Sequence, residues 1–228
     1  MLVFSWVVML FHSLKLGFFV MSWLTDRFGL AYRDFIGDVA ERRIPADLPM
    51  LNAVLDAFHR KIDGHLQGEG RGCVMPEFGG IYWDVEETAF LTLSENFAAF
   101  FAELEVVVSD MLQRRGITFD PEELAEVIRY QSLRTPRRVA AETVAQHRFA
   151  FNLPEYFDAY FTDAPVTVRR SPQHLAIEHK DYGADKPSFA RETILWGRKS
   201  GLMLTRVSWR DGTTEITGGI SARESVAV

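Results

Sequence analysis

The first 24 residues form an apolar run that any fold of this chain must cover. The run, MLVFSWVVMLFHSLKLGFFVMSWL, contains one lysine and no acidic side chain. As a single helix it would be about 36 Å long, which is enough to cross a bilayer. On a helical wheel Ser5, His12, Lys15 and Ser22 gather on one narrow stripe. The run is therefore long enough to span a membrane, but it has a polar edge.

Three interpretations of this run follow from its composition. A helix buried in protein or at an interface is favoured, because a narrow polar stripe suits a helix with one hydrated edge. A membrane anchor is the second interpretation. A signal peptide is the third, but the run lacks a basic beginning and a small-residue cleavage site.

Amphipathic helices are predicted over most of residues 1–143, which we expect to form a helical domain. Apolar residues recur at helical spacing in residues 30–43, 51–66 and 86–115, and the last of these ends at Gly116. Asp120 as N-cap, Pro121 at the first position and Glu123 at the third predict another helix, which ends at Thr135-Pro136. Residues 68–84, rich in glycine and aromatic residues, have no regular period and predict a long irregular loop.

The period of the sequence changes after residue 143. Short extended segments are predicted at residues 147–151, 166–170 and 174–180, the last bounded by Pro172 and Gly183, with an aromatic helical turn at residues 154–162. A helix is predicted at residues 186–199, followed by a hairpin of residues 202–210 and 213–217 across Asp211-Gly212. We therefore expect a small α+β module at residues 144–217 and a frayed tail at residues 218–228. The predicted fold class is α+β, with short antiparallel strands in the module.

Composition excludes several classes of function. With 228 residues, 47% of them hydrophobic, the chain can bury a core as one domain or as a domain with a smaller appendage. The net charge of -6 disfavours a nucleic-acid partner, which would need a basic face. Cys73 is the only cysteine, so the chain has no internal disulfide and too few thiols to hold an iron–sulfur cluster by itself. A reducing cytoplasm fits this cysteine content best.

Candidate chemistry in the chain is sparse. His174 and Glu178 fall on one face of a strand and His179 on the other, which disfavours a shared metal. Arg134 to Arg138 (RTPRR) are able to clamp a phosphate, although a hydrated helix end explains them equally well. A ligand pocket is most plausible under the loop of residues 70–83, lined by Glu86, Glu87 or His12. Glu87 is equally well explained by its place at a helix N-terminus.

Three segments carry a resemblance to a known family. They are FSWVVMLFH (residues 4–12), WDVEETAFL (residues 83–91) and FARETILWGRKSG (residues 189–201). Their order resembles the C-terminal region of bacterial radical S-adenosylmethionine enzymes that carry an N-terminal cobalamin-binding domain. The third segment is the most specific. Candidate pocket or interface residues on these segments are His12, Trp83, Glu86, Glu87, Trp196 and Arg198.

The resemblance implies an enzyme in which S-adenosylmethionine bound to a [4Fe-4S] cluster is cleaved to a radical, and cobalamin transfers a methyl group. This chain lacks the CxxxCxxC motif and the cobalamin-binding half, so it binds none of these cofactors itself and no catalytic residue is carried over. We expect an accessory C-terminal domain, as a truncated product or a fragment, whose partners are the missing N-terminal catalytic domains and whose ligand is a small-molecule substrate. Residues 4–24 would then pack on the missing catalytic barrel.

Two alternatives remain open. One is a stand-alone interaction or membrane-associated protein anchored through residues 1–24. The other is an independent enzyme that acts on a small ligand.

Overall fold

A computed structural model of the chain describes residues 1–70, 72–139, 143–160, 166–197 and 204–211. Its helices are α1 (Leu2–Val8), α2 (Phe18–Phe28), α3 (Tyr32–Ala40), α4 (Pro49–Leu66), α5 (Val85–Ser94), α6 (Phe97–Arg114), α7 (Pro121–Arg134), α8 (Leu153–Tyr160) and α9 (Lys186–Ala190). Its strands are β1 (Cys73–Val74), β2 (Tyr82–Trp83), β3 (Val144–Phe151), β4 (Arg170–Glu178) and β5 (Arg206–Asp211). The fold class is α+β, as the change of period predicts.

The N-terminal apolar run forms two helices, so the prediction of one continuous helix is wrong. α1 continues into a π-helical turn (Met9–Ser13), and α2 lies at 93° to these residues. Lys15, between them, has a φ of +63° in the left-handed region. At Gly17 a Cβ atom would lie 2.6 Å from Phe11 Cδ1, so the bend requires glycine there. The composition hides this bend because apolar residues continue on both sides of it.

Most of the run is buried in the core of this chain, as the favoured interpretation predicts. The fully buried side chains are Val7, Leu10, Phe11, Leu16, Phe19, Val20 and Trp23. Met1, Leu2 and Phe4 are exposed. These apolar side chains therefore pack against the chain's own helices, and few of them are left to pack on another domain.

The described residues contain no single helix that is long and apolar enough to cross a membrane. The bent pair of α1 with its π-helical turn and α2 meets the length and hydropathy criteria only when its two parts are taken together.

Residues 86–115 form two helices rather than the one predicted. α5 ends at Ser94 and α6 begins at Phe97. Asn96 is the N-cap of α6, and its Oδ1 accepts a hydrogen bond from the backbone N–H of Ala99 at 3.2 Å. The apolar period continues across the break, and for this reason the periodicity alone predicts a single helix.

The predicted boundaries of α7 are confirmed. Asp120 Oδ1 accepts a hydrogen bond from the N–H of Glu122 at 2.9 Å, and Pro121 is the first helical residue. The helix ends at Arg134, directly before Thr135-Pro136. Glu123, predicted as a capping residue, instead accepts hydrogen bonds from two side chains of α2.

The glycine-rich segment of residues 68–84 contains short regular structure, so its interpretation as a wholly irregular loop is wrong. β1 and β2 pair antiparallel, with Cys73 opposite Trp83, and a 3-10 turn (Pro76–Phe78) lies between them. At Gly72 a Cβ atom would lie 2.1 Å from the carbonyl oxygen of Trp83. The close approach of these two strands therefore explains part of the glycine content.

The larger sheet has the strand order β3-β4-β5 and is antiparallel throughout. β4 begins at Arg170 and passes through Pro172, which was predicted to bound the strand. The register between β3 and β4 is irregular between Phe149 and Phe151, opposite this proline. Pro172 lacks an N–H, and an irregular position in the pairing tolerates it. Of the predicted extended segment at residues 166–170, only Arg170 is in a strand.

α8 confirms the aromatic helical turn predicted after β3. The helix predicted at residues 186–199 is α9 followed by a π-helical turn (Arg191–Trp196). β5 is the first strand of the predicted hairpin. Residues 198–203 and the second strand, at residues 213–217, lie outside the described residues.

The buried apolar residues form one continuous cluster that includes side chains from both predicted parts. α7 lies between these parts, since it packs against α2 and α6 on the helical side and against β3 and α8 on the other. Tyr130 of α7 shows this best, because its ring contacts Phe19 of α2, Phe149 of β3 and Phe157 of α8.

Candidate functional site

Polar side chains collect where one edge of the larger sheet meets the C-terminus of α7. Glu178, the last residue of β4, is paired with Val144 at the start of β3 and with Arg206 at the start of β5. The backbone N–H of Thr205 donates to the carbonyl of Arg134 at 2.9 Å. The end of α7 and this edge of the sheet are therefore in direct contact.

Hydrogen bonds fix the segment after α7 against the segment after β4. Thr205 Oγ1 donates to the carbonyl of Leu133 at 3.0 Å, which satisfies a carbonyl at the helix end. The N–H of Tyr182 donates to the carbonyl of Arg138 at 3.0 Å, and Arg138 Nη1 donates to the carbonyl of Gly183 at 2.6 Å. Residues 136–138 are thus held beside residues 179–183.

A cavity of about 430 Å³ lies between these segments. We call it the Arg137 cavity. Its charged or titratable lining residues are Arg137, Glu178, His179, Lys180, Tyr182, Glu192 and Arg206. Its size is in the range of small-molecule sites in proteins.

The Arg137 guanidinium is a partly buried cation of this wall that has no carboxylate partner among the described residues. Its Nη2 donates to the carbonyl and the hydroxyl of Ser132, at 3.4 and 2.6 Å. Its Nε is buried and has no hydrogen-bond partner among the described residues. Among the described residues, no carboxylate forms a salt bridge with the Arg137 guanidinium; the nearby Glu95 and Glu192 pair with other cations. Burial lowers the pKa of Arg137, since no negative charge offsets the lost hydration of the cation.

His179 responds to the same positive charge. Burial lowers the pKa of His179, and the charges of Arg137 and His147 lower it further. The neutral imidazole is therefore favoured. A bound anion would oppose this effect and favour the imidazolium.

Glu192 is already neutralised within the cavity wall. Lys180 Nζ donates to its carboxylate, and Tyr182 Oη donates to Glu192 Oε2 at 2.9 Å. The hydrogen bond from Lys180 lowers the pKa of Glu192, whereas burial and the hydrogen bond to Glu192 raise the pKa of Tyr182. Glu192 thus remains a carboxylate that is paired with Lys180, and it leaves Arg137 uncompensated.

The arginines of the RTPRR segment have separate roles. Arg134 is buried, donates to Tyr130 Oη at 2.8 Å and lies over the ring of Phe19. Arg138 contacts Gly183 and approaches Glu95 at 3.9 Å. Of the three, only Arg137 lines the cavity. The predicted phosphate clamp is therefore reduced to a single arginine whose neighbours come from distant parts of the chain.

His12 lies beside the bend between α1 and α2. Its ring contacts Phe18 and Tyr32, with centroids 5.7 Å away in both cases. Burial lowers the pKa of His12, and the charge of Lys15 adds to the effect. Lys15 Nζ lies 4.0 Å from the centroid of the Phe18 ring, and burial lowers the pKa of Lys15. The helical wheel places Lys15 on the same stripe as His12, whereas the sequence does not suggest the aromatic contacts.

Trp83, Glu86 and Glu87 are buried at the start of α5. Glu87 Oε2 accepts a hydrogen bond from the N–H of Asp84 at 2.9 Å, which caps the helix. Trp83 is fully buried, and its Nε1 has no hydrogen-bond partner among the described residues. Neither the Arg137 cavity nor a second cavity, which lies between α6 and α7, is lined by these residues or by His12.

The closing segment contributes to the Arg137 cavity through other residues than those predicted. Trp196 is 58% exposed at the end of the π-helical turn, and Arg198 lies outside the described residues. Glu192 and Thr193 of the same segment line the cavity. Sequence reasoning did not select Glu192, Lys180 or Arg206, because nothing in their local patterns indicates that they meet.

The chain's own residues do not fit the metal groups of the resembled family. The described residues contain no group of three or more His, Cys, Asp or Glu side chains placed to hold a metal ion. Cys73 is the only thiol of the chain and is unpaired, whereas CxxxCxxC supplies three cysteines.

Comparison with known proteins gives no assignment: no protein-family model matches the chain, and a search of curated proteins finds no match.

Proposed function

We propose that this chain binds a small molecule that carries a carboxylate or phosphate group, and that Arg137 holds this anionic group in the Arg137 cavity. The observation that carries the proposal is the guanidinium itself. Its Nε is buried without a partner, and no carboxylate of the described chain is paired with it. Arginine binds carboxylate and phosphate through parallel N–H donors, so an anion would satisfy both its charge and its geometry.

The neighbours of Arg137 support the same class of ligand. Arg206 adds a second guanidinium to the cavity wall, and His179 can become a second donor to the anion when it is protonated. Tyr182, whose pKa is raised, keeps its phenolic proton at neutral pH. The cavity thus supplies cationic and neutral donors beside two carboxylates, of which Glu192 is paired with Lys180 and Glu178 is exposed at the end of β4.

Titration of the protein with sodium acetate and with sodium phosphate, followed by NMR, tests this proposal. We expect saturable shifts of the His179 ring resonances and an increase in the pKa of His179 when the anion is bound. Arg137→Gln should weaken binding at least tenfold, since a charge-assisted hydrogen bond contributes about 1.5–3 kcal/mol. The matched control Arg60→Gln removes an exposed arginine of α4 and should bind as the wild type does.

Circular dichroism spectra and melting temperatures of both variants establish that they fold. Equal binding by folded Arg137→Gln, or no saturable binding of either anion by the wild type, would contradict the proposal.

We further propose that the chain serves in the cytoplasm as an accessory, substrate-side domain of a cobalamin-dependent radical S-adenosylmethionine enzyme. The support is the resemblance of residues 189–201, the same segment that contributes Glu192 and Thr193 to the cavity. In this proposal the cofactor chemistry belongs to domains upstream, and this chain's residues orient the anionic part of the substrate.

The reading frame upstream of this chain, or a neighbouring gene, is then expected to encode a CxxxCxxC motif. Co-expression of that product with this chain should give a complex that contains iron and cobalamin. Absence of such a frame, or a product that does not co-purify with this chain, would leave anion binding intact and contradict the assignment to this enzyme class.

A further inference from the structure

A second cavity, of about 300 Å³, lies between α6 and α7. We call it the α6–α7 groove. Its apolar lining residues are Ala98, Phe101, Ala102, Ala125, Ile128 and Leu133. Three of the six are alanines, and such small side chains leave room between two helices that larger ones would fill. The other lining residues are Glu105, Arg129, Ser132 and Arg137, so the groove is mainly apolar with a charged or polar border, and it is open enough to accept a narrow chain.

Arg137 lines both the α6–α7 groove and the Arg137 cavity. Its Nη2 donates to Ser132, which also lines the groove. The uncompensated cation therefore lies where the apolar groove meets the polar cavity. A ligand whose charge is held at this point has an apolar surface available along the two helices.

We propose that the ligand is an amphiphilic monocarboxylate, with its carboxylate at Arg137 and an unbranched apolar chain in the α6–α7 groove. This inference rests on the proposed function, because it requires an anion at Arg137. Glu105 and Arg129 also line the groove, and their opposite charges offer no net positive charge to a second carboxylate, which would lose its hydration at the far end of the ligand.

The chain-length dependence of carboxylate affinity tests this inference. The probes are acetate, butanoate, hexanoate and octanoate, with octanedioate as the dicarboxylate, each titrated by NMR or calorimetry. Each methylene that leaves water tightens binding about threefold to fourfold. We therefore expect octanoate to bind at least about a hundredfold more tightly than acetate, and octanedioate more weakly than octanoate.

Ala102→Trp fills the groove from an exposed position of α6. In this variant the ratio of acetate to octanoate dissociation constants should fall at least tenfold. The control Gln113→Trp places the same side chain on an exposed position about 16 Å along the helix, and it should keep the wild-type ratio. Contacts between the octanoate methyl protons and the methyls of Ala98 and Ala125 should appear in the wild type.

The outcomes separate the two proposals. If acetate binds through Arg137 and octanoate binds no more tightly, the inference of an amphiphilic ligand is overturned and the proposed function stands. A chain-length gain that persists in folded Ala102→Trp would also overturn it, since the chain would then lie elsewhere. Failure of every carboxylate and of phosphate to bind would instead overturn the proposed function.

Discussion

Buried carboxylates in this protein accept hydrogen bonds from segments that are distant in sequence. Glu103 of α6 accepts from the first backbone N–H groups of α4, at Met50 and Leu51, both at 2.8 Å. Glu123 of α7 accepts from Trp23 Nε1 at 2.8 Å. Such carboxylates satisfy donors that would otherwise be buried without partners, and each therefore has a direct effect on stability.

Glu123→Ala and Glu122→Ala form a matched pair, since both remove a carboxylate from the first turn of α7. Glu123 is buried against Trp23, whereas Glu122 is exposed and paired with Arg170. We expect Glu123→Ala to lower the free energy of unfolding by about 1–3 kcal/mol, because it leaves a buried indole N–H unpaired. Glu122→Ala should cost below about 1 kcal/mol. Urea denaturation measures both, and equal losses would show that the buried contact contributes nothing beyond the helix dipole.

Asp38 predicts a pH dependence of stability. Burial alone would raise its pKa, but hydrogen bonds from Arg115 and Arg43 and the charge of Arg114 outweigh this effect and lower it. A carboxylate with a lowered folded-state pKa stabilises the fold above its unfolded pKa of about 3.9, and the stabilisation is lost as the pH falls through the folded value.

Asp38→Asn should therefore be less stable than the wild type by about 2 kcal/mol at pH 7. The difference should shrink as the pH falls from about 5 towards 2. Urea denaturation across this range measures it. Asp56→Asn, which removes an exposed carboxylate, should differ from the wild type by less than about 1 kcal/mol throughout. A difference for Asp38→Asn that does not change with pH would contradict the ion-pair explanation.

At the scale of elements, the bend between α1 and α2 is held by a side chain of α7. Gln131 is fully buried; its Oε1 accepts from the N–H of Phe19 at 2.9 Å, and its Nε2 donates to the carbonyl of Lys15 at 2.7 Å. One amide thus satisfies a donor and an acceptor that the bend leaves without helical partners.

Gln131→Leu should destabilise the protein by about 2–5 kcal/mol, since two buried backbone groups lose their partner. The loss should be local at first, so hydrogen exchange of the Phe19 amide should accelerate more than that of amides in α6. Gln113→Leu, at an exposed position of α6, should change stability by less than about 0.5 kcal/mol. Unchanged exchange at Phe19 would mean that packing alone holds the bend.

The same elements show how far sequence reasoning reaches. α7 was predicted to the residue at its start because Asp120 and Pro121 act through local geometry. The breaks at Gly17 and Asn96 were missed, although each residue is a local signal, because the apolar period continues through both. The sequence could not predict the Arg137 cavity, because Arg137, His179 and Arg206 are far apart along the chain. They line one cavity only because β4 and β5 pair beside the end of α7.

For the whole molecule, α7 is the element that joins the helical part to the sheet. The carboxylate of Glu126 accepts from the N–H groups of Ala150, at 2.8 and 3.0 Å, and Phe151, at 3.0 Å. These groups lie at the register irregularity of β3, so a helix side chain completes the hydrogen bonding of the strand. The contact between α7 and β3 is therefore made by specific hydrogen bonds as well as by apolar packing.

The contact between α7 and β3 and the continuous apolar core together predict that the described chain unfolds in one transition. Denaturation followed by hydrogen exchange and mass spectrometry should show amides of α6 and β4 losing protection at the same urea concentration. Glu126→Ala should move both to lower urea together, by about 1–3 kcal/mol, because two strand N–H groups lose their acceptor. Asp63→Ala, which removes a carboxylate from an exposed position of α4, serves as control. If β4 instead lost protection first and Glu126→Ala shifted β4 alone, the boundary near residue 143 would separate two independently folding domains.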